Sequence, residues 1–96
     1  MTKFSYKPLP KGLTIGNSNI QGLGLFATDV FDSNTILGIS HYILDYEIIR
    51  TPLGGFINHR LKPNCELVEN GNTYILRTLR PILPKEEITV RYTLEQ

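Results

Sequence analysis

A single alanine in a chain of 96 residues narrows the fold more than any other feature of the sequence. Against Ala27 stand 11 isoleucines, 3 valines and 9 threonines. Alanine is the strongest helix former, whereas β-branched side chains pack well on a pleated surface. The 8 glycines and 6 prolines break the chain at short intervals, as short strands joined by tight turns require. The reading is all-β. Residues 1–96 form one domain with a thin core, since a chain this short buries roughly 60–65% of its unfolded surface.

Local patterns place the elements. Residues 1–12, with Pro8 and Pro10, read as an extended lead-in. Leu13-Thr14-Ile15 predicts a short strand, ended by the turn cluster Gly16-Asn17-Ser18-Asn19. A second strand covers residues 22–27, and Asp32-Ser33-Asn34 is a turn. Residues 35–44 read as one or two strands interrupted at Gly38, residues 46–50 fit no single pattern, and Pro52 with Gly54-Gly55 demands a loop. Residues 56–64 read as irregular. Residues 66–69 and 72–77 flank Asn70-Gly71, the dipeptide that suits a type I′ hairpin turn. A connector over 81–85 leads to a terminal strand over 88–92.

Charge and cysteine usage exclude several classes. A net charge of +1 argues against a strongly electrostatic grip on nucleic acid, so no nucleic-acid partner is expected. No apolar run approaches the about 20 residues of a membrane span, and the first residues lack the apolar core of a secretory signal. The expected compartment is therefore cytoplasmic, not secreted. One cysteine allows neither an internal disulfide nor an all-cysteine metal site. His41, His59 and Cys65 share no recognised ligand spacing, so no metal is expected.

Two short segments can carry chemistry on their own residues. In Gly22-Leu23-Gly24 the missing side chains let a ligand touch peptide groups directly, or else serve a β-bulge or tight strand crossing. Asn58-His59 sets an amide with donors and an acceptor beside an imidazole, which serves a ligand or caps a turn.

Three segments, in this order, resemble one family. Gln21-Gly22-Leu23-Gly24-Leu25-Phe26-Ala27 is similar to the N-terminal glycine motif of SET-domain protein lysine methyltransferases. Phe56-Ile57-Asn58-His59-Arg60-Leu61-Lys62-Pro63-Asn64-Cys65 resembles that family's Asn-His segment. Thr78-Leu79-Arg80-Pro81-Ile82 and Glu86-Glu87-Ile88-Thr89-Val90-Arg91-Tyr92 resemble its ending. The resemblance implies a SET-like β-clip fold of several short sheets, with the C-terminal segment threaded under the loop of Asn58-His59 as a pseudoknot. It implies S-adenosylmethionine as methyl donor, released as S-adenosylhomocysteine, and a protein partner with an exposed lysine.

Residue by residue, the resemblance puts the backbone of Gln21, Gly22, Leu23 and Gly24 around the donor's methionine part. Asn58 holds the donor's amino-acid end, His59 meets the adenine, and Tyr92 is the catalytic tyrosine. Near Ser40 the family often carries a channel tyrosine; Tyr42, two residues on, takes that role if the strand keeps its two-residue period. Leu67 stands where relatives carry an aromatic residue that tunes the number of methyls added. Arg60 and Leu61 replace the usual Ser and Cys, Arg91 replaces the acid before the tyrosine, and the family's cysteine-rich zinc segment is not expected here. These departures leave a non-catalytic peptide- or protein-binding module as the alternative. Apolar surface left uncovered predicts a homodimer, with contacts in residues 35–44 and 81–83.

Overall fold

The computed structural model describes residues 9–91. Among these residues it has eight strands and one 3-10 turn: β1 (Leu13–Asn17), β2 (Leu23–Ala27), β3 (Ile36–Leu44), β4 (Glu47–Arg50), the turn at Gly54–Phe56, β5 (Asn58–His59), β6 (Cys65–Asn70), β7 (Thr73–Thr78) and β8 (Thr89–Val90). They form three small sheets. β1 and β2 make an antiparallel pair, a four-stranded sheet runs β4-β3-β7-β6, and β5 pairs with β8 in parallel. The expected all-β fold of several short sheets is what forms. No helix among the described residues is long and apolar enough to cross a membrane.

One core serves all three sheets. Leu25 and Ala27 of β2 meet Leu37 of β3, Leu76 of β7 and Val90 of β8, with Leu53, Ile57, Ile82 and Ile88 contributed by the connections. Burying several aliphatic side chains of this size, at about 1.5–3 kcal/mol each, is what holds such short ladders together.

Two hairpins build the four-stranded sheet, and their turns differ from the expectation. Asn70 pairs with Thr73, so the β6–β7 loop is Gly71-Asn72, with a positive φ (63°) at Gly71 only. That is the pattern of a type II′ turn, whose first central residue is glycine. The type I′ pattern lies instead in the β3–β4 hairpin. Leu44 pairs with Glu47, and both loop residues, Asp45 (φ 49°) and Tyr46 (φ 68°), are left-handed. Of residues 46–50, unreadable by pattern, Tyr46 closes the tight turn and Glu47–Arg50 become an edge strand folded back on β3.

The C-terminal segment changes partners along its length. Lys85 donates to the carbonyl of Ala27 at 2.8 Å, and Ile88 donates to that of Leu25 at 2.7 Å, so this stretch lies antiparallel against β2. It then continues as β8 beside β5, with Asn58 opposite Thr89 and His59 opposite Val90. Arg60 donates to the Val90 carbonyl at 3.0 Å. Parallel neighbours need a long connection, and here it contains the whole β6–β7 hairpin.

Candidate active site

A cavity of about 590 Å³ opens where the turn before β2, the β3–β4 hairpin and the segment entering β5 converge. Gln21, Gly22, Leu23, Asn58 and His59 all line it. The fold therefore gathers five of the six expected donor-binding residues around one space. Pockets of about 300–1,000 Å³ are the ordinary size for small-molecule ligands.

The two glycines of the first motif have different jobs. Gly22 is left-handed (φ +49°), and a side chain built there meets nothing within 4 Å. Its α-carbon faces open space, while its carbonyl accepts from the Ser18 N–H at 2.9 Å. Gly24, the sixth residue, does not line the cavity; a side chain there runs into the Glu87 carboxylate and comes within 3.1 Å of Ser18 Cβ. Its bareness makes room for Glu87.

Glu87 anchors the polar frame behind the cavity. Its carboxylate accepts from the Ser18 hydroxyl (2.9 and 2.8 Å) and from Asn58 Nδ2 (2.8 Å). Asn58 Nδ2 also lies 3.2 Å from the carbonyl of Gln21 and 3.3 Å from that of Leu23. One amide nitrogen thereby ties the glycine turn to the C-terminal segment. Among the described residues the Asn58 side-chain oxygen accepts no hydrogen bond; all four contacts of the side chain run through Nδ2.

A second asparagine fixes the segment that passes beneath. Asn64 is buried; its Nδ2 donates to the Glu87 carbonyl at 2.8 Å, and its Oδ1 accepts from Thr89 N–H at 2.9 Å. The side chain acts as a substitute peptide group across 25 residues of sequence. Residues 87–89 are held on both sides of Ile88 before the chain reaches Arg91.

The opposite wall comes from the sheet. His41 and Arg50 are partners across β3 and β4, and both line the cavity. Ser40 donates its hydroxyl proton to the Tyr74 carbonyl at 3.1 Å, so it accepts from His41 Nδ1 at 2.7 Å. Burial, then the charge of Arg50, push the His41 pKa below its ordinary 6.5, so the ring is neutral at pH 7 with Nε2 as its acceptor. Arg50 takes part in no ion pair among the described residues.

The remaining expected residues lie elsewhere. The pairing of β3 with β7 slips between Ile39 and His41, a bulge that turns Ser40 and His41 both inward. Tyr42 therefore does not share the inward side of Ser40; it is 39% exposed on the other face. Leu67 lines a separate cavity of about 300 Å³ together with Cys65 and Arg91. Tyr92 lies outside the described residues. Burial pushes the Cys65 thiol up to about 12, so it is no nucleophile at neutral pH.

The sequence model of one family, described as the SET domain, matches residues 39–93, more than half of the chain. The chain belongs to the SET domain family. The chain is similar to the Suv4-20 histone-lysine N-methyltransferases of Caenorhabditis elegans and Caenorhabditis briggsae, 45% and 43% identical over 42 residues. Those matches cover 44% of this chain but only 15% and 13% of the two relatives. The chain thus spans a small part of the curated relatives it matches. Among solved structures, a histone methyltransferase candidate of Plasmodium falciparum superimposes with a TM-score of 0.75 at 21% identity. The superposition covers 91% of this chain and 97% of that one, and it shows a shared SET fold.

Pattern reading of this SET domain missed four residues of the site. Glu87 was visible only as part of an acidic pair, and Ser18 only as part of a turn cluster. His41 and Arg50 carry no motif at all; the hairpin register alone makes them neighbours.

Proposed function

We propose that this SET domain is a protein lysine N-methyltransferase that uses S-adenosylmethionine. The observation that carries the reading is the convergence of Gln21–Leu23 with Asn58 and His59 on one ligand-sized cavity, framed by Glu87. The residues present fit the donor. Gly22, bare of a side chain, leaves open space at the cavity wall, Asn58 offers an acceptor oxygen for an ammonium, and the Arg50 guanidinium offers a carboxylate its charge. When bound, the donor supplies a sulfonium-borne methyl group.

The chain's own residues do the rest. Free lysine has a pKa of about 10.4, and a dry channel disfavours its ammonium form, which exposes the nitrogen lone pair. Asn64 holds residues 87–89, the segment that precedes Tyr92 in sequence, in place. Tyr92, by its position in the motif, supplies the hydroxyl that orients the neutral amine. Leu67, in the cavity lined also by Arg91, leaves more room around that amine than an aromatic side chain. Tyr42 belongs to the exposed sheet face beside Ile39 and Leu44. Proximity and alignment provide most of the acceleration.

The same exposed face supports a homodimer. Ile36, Ile39, Tyr42 and Leu44 of β3 and Ile49 of β4, the cross-strand partner of Tyr42, are exposed, and β4 is a sheet edge. In the 81–83 connector Pro81 and Leu83 are exposed, whereas Ile82 is buried beside Phe31. Light scattering behind a sizing column tests this association: a mass near twice 10.9 kDa supports it, and 10.9 kDa opposes it.

Methyl transfer is tested with labelled donor and a lysine-bearing protein substrate. Tyr92→Phe removes most turnover while leaving donor affinity within about two-fold, because the hydroxyl acts chiefly in the transition state. Equal rates for Tyr92→Phe and wild type reject the assignment of this tyrosine.

A further inference from the structure

The charge that is diluted along the sequence is concentrated by the fold. A cavity of about 320 Å³, separate from the donor cavity, is lined by Arg60, Lys62, Arg80 and Lys85, four of the chain's 10 basic residues. The loop after β5 supplies the first two and the connector before β8 the others; the β5–β8 pairing brings them together. Two carboxylates share the wall. Glu86 is matched by Arg80 at 2.9 Å, and the Glu87 oxygens are already engaged by Ser18 and Asn58. Among the described residues no ion pair involves Arg60, Lys62 or Lys85.

Next to this basic cavity lies a larger apolar one of about 480 Å³, walled by Ala27 and Pro84. Phe26 and Lys85 line both cavities. An anion seat and an apolar seat thus share an aromatic ring and an ammonium. An acidic peptide side chain fills only the first, and an aliphatic group only the second. A nucleotide has both parts: a phosphate that pairs with Arg and Lys, and a flat base that stacks on an aromatic face.

We propose that these adjoining cavities bind a nucleotide, with its phosphate among Arg60, Lys62 and Lys85 and its base beside Phe26. The unit is either a free nucleotide or one residue of a single strand. The four cations are exposed, so a strand can run on past the site. The site does not depend on the methyltransferase reading, since it shares no catalytic residue with it.

The test is fluorescence anisotropy of the full chain with a labelled 12-nucleotide single-stranded DNA, with adenosine monophosphate titrated in parallel. Two to three phosphate contacts give a salt slope of about −1.4 to −2, at about 0.7 per contact for single strands. Arg60→Gln and Lys85→Gln each weaken binding several-fold and flatten the slope by about 0.7. Phe26→Leu keeps an apolar wall but removes the ring, and weakens binding about five-fold or more. Far-UV circular dichroism confirms that each variant keeps its fold. If the monophosphate binds with the same sensitivity to these variants, the source is a free nucleotide; if only the 12-mer binds, it is a strand. No binding at low salt overturns the proposal. So does binding that the Arg60→Gln/Lys85→Gln double variant leaves unchanged, or that a polyglutamate of equal length displaces as well as unlabelled DNA.

Discussion

The four-stranded sheet and the region around β2, β5 and β8 solve the same problem in different ways. The sheet is held by ladders, the longest unbroken one being the six residue pairs that join β6 to β7, with a cross-strand Arg77–Glu66 ion pair on its surface. In the other region β5 and β8 have two residues each, too short to hold themselves. Side chains of Asn58, Asn64, Ser18 and Glu87 supply there the bonds that a ladder supplies in the sheet. The ladder region tolerates loss of any one contact between side chains at its surface. The clamped region concentrates its integrity in a few polar atoms, and the candidate active site is built on those atoms. Backbone freed from ladders is backbone available to a ligand.

The largest effects come from breaking each region at its centre. Leu76, fully buried in β7, anchors the sheet to the core. Leu76→Ala lowers stability by about 2–5 kcal/mol, read by urea denaturation, and leaves donor affinity near wild type while the protein is folded. Asn64→Ala strands a buried N–H and a carbonyl, at about 1–3 kcal/mol each. It therefore lowers stability comparably, but it also loosens residues 87–89 and reduces turnover in the population that stays folded. If Asn64→Ala and Leu76→Ala affect turnover equally at equal fraction folded, the contrast between the regions fails.

The pH response sharpens the comparison at the boundary of the two regions. His41 has a folded pKa below 6.5, so the neutral ring is favoured by the fold. Its contribution is fully present above pH 6.5 and is lost as pH falls through the folded value. Glu86 acts in the same direction only below the ordinary carboxylate value of 4.5, because Arg80 holds its carboxyl down. Between pH 7.5 and 5.5 the Tm of the wild type falls more than that of His41→Gln. Parallel pH curves for the two proteins contradict the assignment.

The smallest expected effect is a gain. Tyr46 is left-handed, fully exposed, and sits at the second central position of a type I′ turn. Glycine is the preferred residue there, and a left-handed L-residue costs about 1–2 kcal/mol. Tyr46→Gly therefore raises stability by about 1 kcal/mol, seen as a higher urea midpoint with an unchanged slope. A lower midpoint shows that the Tyr46 ring contributes contacts that outweigh its strained backbone.

The same two regions explain what could be read from the sequence. The all-β class followed from Ala27 standing alone among isoleucines and threonines, and the β6–β7 hairpin from Asn70-Gly71 between alternating strands. Its turn type was misread because the register closes one residue later, at Gly71-Asn72. Asp45-Tyr46 carries no glycine, so the true type I′ turn gave no signal. In the site, Gln21 to Leu23 and Asn58-His59 were legible because local strings carry them. Glu87 against Gly24 was not, because nothing in either string encodes a contact across 63 residues. The bulge at Ser40 likewise broke the two-residue period that the placement of Tyr42 relied on.

The central claim is that Asn58, tied to Glu87, shapes a cavity that holds S-adenosylmethionine, and calorimetric titration of that ligand tests it most directly. The account predicts one saturable site in the wild type and at least about ten-fold weaker binding for Asn58→Ala, the order of a charge-assisted hydrogen bond's worth. No detectable heat at millimolar ligand, or equal affinity for Asn58→Ala, contradicts it.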